Sequence, residues 1–376
     1  MRARRLCRMA LRFWMGLVLI LGMSSHFYSP TRRRLVHSRL LQIYNWLMMV
    51  ANFILFYTYQ QYAVDYFVAG TFKRQTFVAM VCDQSVNLQL VTLVIQTLLR
   101  VLRERQVCQV YNELSGILER DLKLEEHSRL YHVVFLAKIH NFVHNFNFAL
   151  SVLIIWGMRT FGMPDFLANL YFVYNSLARD AVQVAYILLL LDLSEALRLN
   201  GQRVSSSYGH LMEQLRRQER LIELVRRVHR MFAWLVAVTL FYELYFNTAT
   251  IYLGYAFVNQ RHSKSGLHIL TVKVLLTGIC FLVKLSDALL LQIVCEHLLG
   301  EQNQVCASPK FQGHNADAKA AHRQWEMSLL RRAIRRASPE NKVLGMFRMD
   351  MRRAFALISC SLSYGIIIIQ IGYVHS

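Results

Sequence analysis

The sequence predicts an all-α membrane protein: seven transmembrane helices, an N terminus in the cytoplasm, a C terminus outside the cell and a cytoplasmic helical anchor region. Three observations predict it. Hydrophobic residues fill 55% of the 376 positions, more than an ordinary soluble fold of this length carries. Apolar runs recur at about 42–69, 77–99, 133–156, 166–192, 231–258, 267–293 and 354–374. A hydrocarbon core of ~30 Å needs ~20 helical residues, and each run supplies them. Lysine and arginine gather on alternate sides of these runs, which sets the orientation.

Residues 1–41 are read as a cytoplasmic N-terminal segment. Within it Met9 to Phe27 is an eighth apolar stretch, preceded by Arg2, Arg4, Arg5, Arg8 and Arg12 and followed by Arg32, Arg33, Arg34 and Arg39. Cations on both sides put both ends on the cytoplasmic face, as in a re-entrant or interfacial helix. A cleaved signal peptide is the alternative. Against it stand the poor Ser24-Ser25-His26 exit and the arginines beyond, which would resist translocation.

Residues 42–293 hold six spans, read as a ligand-sensing bundle with cytoplasmic helical extensions. In those extensions Val107, Val110, Tyr111, Leu114 and Ile117 recur near heptad spacing, as do Leu211, Leu215, Ile222 and Val225. The spacing suits helices that leave the membrane and pack together. Independent amphipathic helices lying on the inner leaflet are the other reading. Residues 294–353 are a cytoplasmic linker, flexible over 300–320, with a lead-in helix over 321–337 that Ser338-Pro339 ends. Residues 354–376 are the final span and an extracellular C terminus, with no further domain expected after it. Pro30, Pro164, Pro309 and Pro339 all fall between the apolar runs, where helix breaks are harmless.

Charge fixes the direction. The inside segments 1–41, 100–132, 193–230 and 295–353 carry nine, six, eight and eleven lysines and arginines, against five in short outside loops at about 70–76, 157–165 and 259–266. Reversal would put the cationic segments outside, so the orientation is expected to be opposite to that of G-protein-coupled receptors. The net charge of +20 sits beside the spans. Attraction to anionic membrane lipid accounts for it, at ~1 kcal/mol per residue near the surface, and no nucleic-acid partner is expected. The seven cysteines avoid the outside loops and no Asn-x-Ser/Thr acceptor occurs, so no disulfide framework is implied. Loops this short leave no ectodomain, and an external ligand must enter between the helices.

No enzyme motif is present: no His-Glu-x-x-His, no phosphate-binding glycine loop and no nucleophile elbow. His140 and His144 share a helical face as a zinc pair would, but no third ligand accompanies them. Asn141, Asn145 and Asn147 beside them suit interhelical hydrogen bonding better, and neither a metal nor another cofactor is expected. Ionisable residues within spans point to protein or water rather than lipid. Arg179 adjoins Asp180, Lys284 can reach Asp287 in its own helix, and Glu243 has no partner in its own helix. Tyr242, Glu243, Tyr245 and Phe246 are therefore candidate ligand-binding residues. An interfacial aromatic belt is the alternative for the tyrosines and phenylalanine.

The last span holds one amide, Gln370, among isoleucines. Left unpaired in hydrocarbon, it costs several kcal/mol. Tyr364, Ile367 and Gln370 follow an i, i+3, i+6 line on one face. A lone chain would bury Gln370 in its own bundle. A symmetric oligomer would instead arrange it as a polar ring around a water path, with Ile367 as an apolar ring able to close that path by dewetting.

At this helix the sequence resembles the insect gustatory receptor family, part of the insect chemoreceptor superfamily and related to the odorant receptors. The family signature is Thr-Tyr, five hydrophobic residues, then Gln-Phe. Here it reads Ser363-Tyr364-Gly-Ile-Ile-Ile-Ile-Gln370-Ile371, with Ser for Thr and Ile for Phe. The resemblance implies a gustatory chemoreceptor in the plasma membrane of gustatory receptor neurons. It also implies a ligand-gated, non-selective cation channel opened by a small-molecule tastant bound in the outer half of the bundle. The assembly would be a homo- or hetero-tetramer with other gustatory receptor subunits. By position Gln370 would line the pore, Ile367 would be its constriction, Tyr364 would support the packing and the 321–337 helix would lead into the pore helix. No ligand residue is carried over. A metabotropic seven-helix chemoreceptor coupled to a G protein is the alternative, but it needs a cytoplasmic C terminus, which the charge count opposes. A transporter is weaker still, since no internal repeat is visible.

Overall fold

The computed structural model describes residues 2–29, 31, 34–65, 76–122, 128–157, 163–203, 208–259, 267–307, 326, 342–343, 347–348 and 351–374. The elements run α1 (Arg2–Ile20), β1 (His26–Ser29), β2 (Arg34–His37), α2 (Arg39–Asp65), α3 (Thr76–Gly116), α4 (Arg129–Gly157), α5 (Met163–Gln202), α6 (Tyr208–Asn259), α7 (Leu267–Ala307), β3 (Lys342–Val343), β4 (Phe347–Arg348) and α8 (Met351–Val374). The seven helices α2 to α8 coincide with the seven apolar runs. Among the described residues, four stretches are long and apolar enough to cross a membrane: Arg39–Tyr57, Asp83–Asp121, Gly209–Ala256 and Met351–Tyr373. The lead-in helix expected over 321–337 lies outside the described residues except at Glu326.

Several helices outrun the bilayer. At 1.5 Å per residue the 52 residues of α6 span about 78 Å, and the 41 of α3 about 60 Å. The surplus lies at the arginine-rich end, where α3, α5, α6 and α7 share a core. Val110, Leu114, Leu193, Leu197, Leu221, Val225, Val228, Cys295 and Leu298 are each at most 1% exposed there. Leu211, Leu215, Ile222 and Val225 are buried too, so the heptad-spaced positions face protein and the extensions do not lie separately on a surface.

α5 is the centre of the bundle, packed against α2, α3, α4, α6 and α7. Its run Ile187 to Leu191 is apolar on every side, which is what a helix surrounded by helices requires. Pro164 sits in its first turn, where the missing N–H has no intrahelical partner to lose. α3 ends in a π turn, Ile117–Asp121, with the Leu122 amide donating to the Ile117 carbonyl at 2.9 Å. Ser128 caps α4, its hydroxyl accepting from the Tyr131 amide at 3.2 Å.

Two small antiparallel pairs depart from the all-α expectation. β1 pairs with β2 in the register His26 with His37 to Ser29 with Arg34, and β3 pairs with β4. Asn112 of α3 serves the free edge of β2: its amide accepts from the Leu35 N–H at 2.8 Å and donates to the Leu35 carbonyl at 3.1 Å. The Phe-Tyr and Leu-Val dipeptides flanking Pro30 were the available hairpin signal.

α1 packs against the bundle through Trp14, Met15 and Val18, while Met9, Phe13 and Ile20 stay uncovered. The chain then turns at Gly22, whose φ of 64° is left-handed. A Cβ there would stand 2.7 Å from Met48 Cγ, so α2 approaches too closely for any other residue. Glu104 of α3 holds the turn, accepting from the Ser25 amide at 2.5 Å and the Ser25 hydroxyl at 2.6 Å, with His26 Nδ1 at 3.2 Å.

Candidate functional site

α8 shows two opposite faces. Ala354, Ser361, Gly365 and Gly372 are buried, following a seven, four, seven spacing. The glycines are needed for contact with α6: a Cβ on Gly365 would sit 2.9 Å from Ile251 Cγ2, and one on Gly372 2.8 Å from the Tyr252 ring. Small residues let two helix backbones approach where lipid supplies no hydrophobic drive between them.

The family-motif positions lie on the other face. Ser363, Tyr364, Ile367, Gln370 and Ile371 are all exposed, within an arc of ~120° at 3.6 residues per turn. Gln370 has no hydrogen-bond partner among the described residues. Of the two placements open at sequence level, the chain does not bury this amide in its own bundle. Tyr364 is likewise uncovered, at 52% exposure, so within one chain it is not a packing residue.

The candidate ligand residues of α6 part company. Tyr242 is buried and stacks on Phe246 with ring centroids 5.7 Å apart. Tyr245 turns toward α3, donating to Gln84 Oε1 at 3.3 Å. It packs on a cluster of Val81, Ala249, Tyr252 and Ala256 that also receives Ile368 and Ile369 of α8. Glu243 is buried and accepts from Gln183 Nε2 of α5 at 2.9 Å. None of the four lines the cavity bounded by α1, α3, α5 and α6. The side chains of 146–173 and 257–274 lie outside the described residues.

Glu243 belongs to a buried polar relay across four helices. Gln183 Oε1 accepts from Lys138 Nζ of α4 at 3.1 Å, and Lys138 Nζ pairs with Asp287 Oδ2 of α7 at 2.9 Å. Asn141 donates to Asp287 Oδ1 at 2.8 Å and to the Ser286 hydroxyl at 2.6 Å, and Asn145 donates to Asp180 at 2.6 Å. Lys138 and Asp287 side chains are 2% and 1% exposed. Asp287 pairs across helices with Lys138; the expected pairing with Lys284 falls on a side chain outside the described residues. Gln183 and Lys138 were not singled out from the sequence. The polar residues lying one or two turns apart in α4 (Lys138, Asn141, Asn145) were the available signal.

His140 and His144 meet edge to face with centroids 5.3 Å apart. Among the described residues no three His, Cys, Asp or Glu side chains gather as a metal cluster.

Comparison with known proteins agrees with this architecture. Residues 11–375 match the family described as 7tm Chemosensory receptor. The chain is 63% identical over 374 residues to a Drosophila melanogaster protein that carries the name gustatory receptor 10b, and the match covers 100% of both chains. It superposes on the structure of the insect olfactory receptor OR5 from Machilis hrabei in complex with eugenol with a TM-score of 0.65, covering 96% of this chain and 98% of that one. The structure of OR5 without that ligand gives 0.64. Identity to both is 13%, so these two likenesses concern the fold alone. With a family match over nearly its whole length, the chain belongs to the 7tm chemosensory receptor family and is a membrane chemoreceptor of the insect type.

Proposed function

We propose that this chain is a gustatory receptor subunit forming a ligand-gated, non-selective cation channel, as a tetramer of itself or with other gustatory receptor subunits. A small-molecule tastant bound in the outer half of the bundle opens it. The observation that carries the reading is the uncovered face of α8. An amide facing hydrocarbon costs several kcal/mol, and Gln370 finds no partner among the described residues. A water-filled axis shared among α8 helices gives it one. Ile367, 46% exposed and one turn away on the same face, then meets its counterparts as an apolar constriction. Tyr364, Ile366 and Ile371 supply the contacts between subunits.

In this reading the arginine-rich helical extensions lie in the cytoplasm and α8 runs outward. The outer cluster around Tyr245 joins the ligand-sensing helices to α8, since Tyr252 packs on Gly372 and Ile368 and Ile369 enter the same cluster.

The test is current measurement with Gln370→Ala and Ile367→Ala. The first is expected to change conductance or selectivity at unchanged surface expression, and the second to raise current without ligand. Unchanged currents in both would remove this face from a pore. Epitope tags at both termini on intact cells test the orientation, and a C-terminal tag accessible only after permeabilisation would overturn it.

A further inference from the structure

A cavity lies away from the α8 face, at the arginine-rich end of the bundle. It measures about 200 Å³ and is walled by α1, α3, α5 and α6, with Trp14, Met15, Val182, Phe232 and Leu235 among its apolar lining. An apolar cavity of ~150 Å³ already accepts a benzene-sized guest, so this one takes a length of a single acyl chain. Its polar groups gather on the side where α3 meets the 22–26 turn.

Three buried hydrogen-bond donors of its lining residues have no acceptor among the described residues. Arg100 gives Nη2 to the Gly22 carbonyl at 3.1 Å, but its Nε and Nη1 are buried with no acceptor. The Trp14 indole N–H, on a side chain only 9% exposed, has none either. Buried donors of this kind, two of them on one cation, are costly to leave empty. The nearby cation and anion are otherwise engaged. Arg103 donates to the Arg230 and Met231 carbonyls at 2.5 and 2.6 Å, and Glu104 is held by Ser24, Ser25 and His26.

We propose that this cavity binds a single-chain anionic amphiphile, a long-chain fatty acid. Its carboxylate accepts from one of the two free Arg100 donors and from the Trp14 N–H, and its first methylenes fill the apolar space under α1. A charge-assisted hydrogen bond from the guanidinium is stronger to a carboxylate than to a neutral ester. Entry is from the membrane, along the uncovered flank of α1 where Met9, Phe13 and Ile20 face outward. Such a ligand ties α1 to α3, α5 and α6. The site is independent of the channel reading, because it needs no second subunit and is read by binding rather than current.

The experiment is equilibrium binding of radiolabelled palmitate to the full-length receptor purified in detergent. Saturable binding at one site per chain is expected, with methyl palmitate competing at least about tenfold more weakly because it lacks the charge. Arg100→Met is expected to lose that discrimination. Since Arg100 also holds Gly22, Ala185→Phe serves as a second variant: it fills the cavity from a wall residue whose side chain makes no hydrogen bond. It should lower palmitate binding by about tenfold or more while the receptor elutes as a single species. Three results would each overturn the proposal: palmitate binding unchanged in Ala185→Phe, methyl palmitate competing as well as the acid, or phosphatidic acid displacing palmitate as readily as the free acid does.

Discussion

Removing the Lys138 ammonium should be among the most damaging single changes in the bundle. Lys138 Nζ lies 2.9 Å from Asp287 Oδ2, and both side chains are at most 2% exposed. At an effective dielectric constant of ~20, Coulomb attraction over that distance is about 6 kcal/mol, which offsets the cost of burying both charges. Lys138→Met keeps the length of the stem but leaves Asp287 with the Asn141 amide as its partner among the described residues, and it removes the donor to Gln183 Oε1. The expected loss is about 3–5 kcal/mol. At ~2 °C per kcal/mol for a large domain, that lowers the apparent Tm by about 6–10 °C. The assay is thermal challenge of detergent-solubilised receptor followed by size exclusion. Asp287→Leu alone should be similarly damaging, because it strands the lysine. The double variant should recover most of the loss, a coupling of ~2 kcal/mol or more. A Lys138→Met receptor as stable as wild type would refute the pairing, and so would additive losses in the double variant.

Three further predictions follow from local geometry. Gly365→Ala places a methyl 2.9 Å from Ile251 and should cost about 1–3 kcal/mol by forcing α8 from α6, with Ile251→Ala restoring folding in the pair; loss without rescue would point elsewhere. Gly22→Ala combines a left-handed φ with the Met48 contact and should cost about 2–4 kcal/mol, seen as earlier proteolysis after α1. Glu195 carries a pH dependence. Its burial disfavours the charged form, but hydrogen bonds from Ser128 and the Arg198 guanidinium outweigh this and hold its pKa below the usual value. Its stabilisation is therefore complete above the unfolded carboxylate value of about 4.3 and is lost as pH falls through the lower folded value. Melting from pH 6 to 3.5 should show an acid-side loss that Glu195→Gln flattens, and an unchanged slope would exclude the contribution.

The helices were legible early because the properties that place them are local and additive. The length of an apolar run decides whether a segment spans a bilayer, and cations flanking it decide which way it runs, whatever its neighbours do. Heptad spacing marked Leu211, Leu215, Ile222 and Val225 for burial in the same way. The hairpin after α1 was less legible, because its edge is completed by Asn112, seventy-seven residues further on.

Partnership between helices was a different matter. The i, i+3 spacing offers Asp287 the lysine of its own helix, yet its described partner is Lys138 of α4, 149 residues away in the chain. Glu243 likewise finds Gln183 on α5. A periodic helix states which of its residues share a face, but not which neighbour that face meets. That choice is made by how seven helices pack together, and α5 at their centre sets most of it. The same holds for Gln370. Its residue type demanded something other than lipid, and its spacing put it in line with Ile367 and Tyr364. Only the packed bundle, by seating Gly365 and Gly372 on α6, turned that line outward and left the amide without a partner among the described residues.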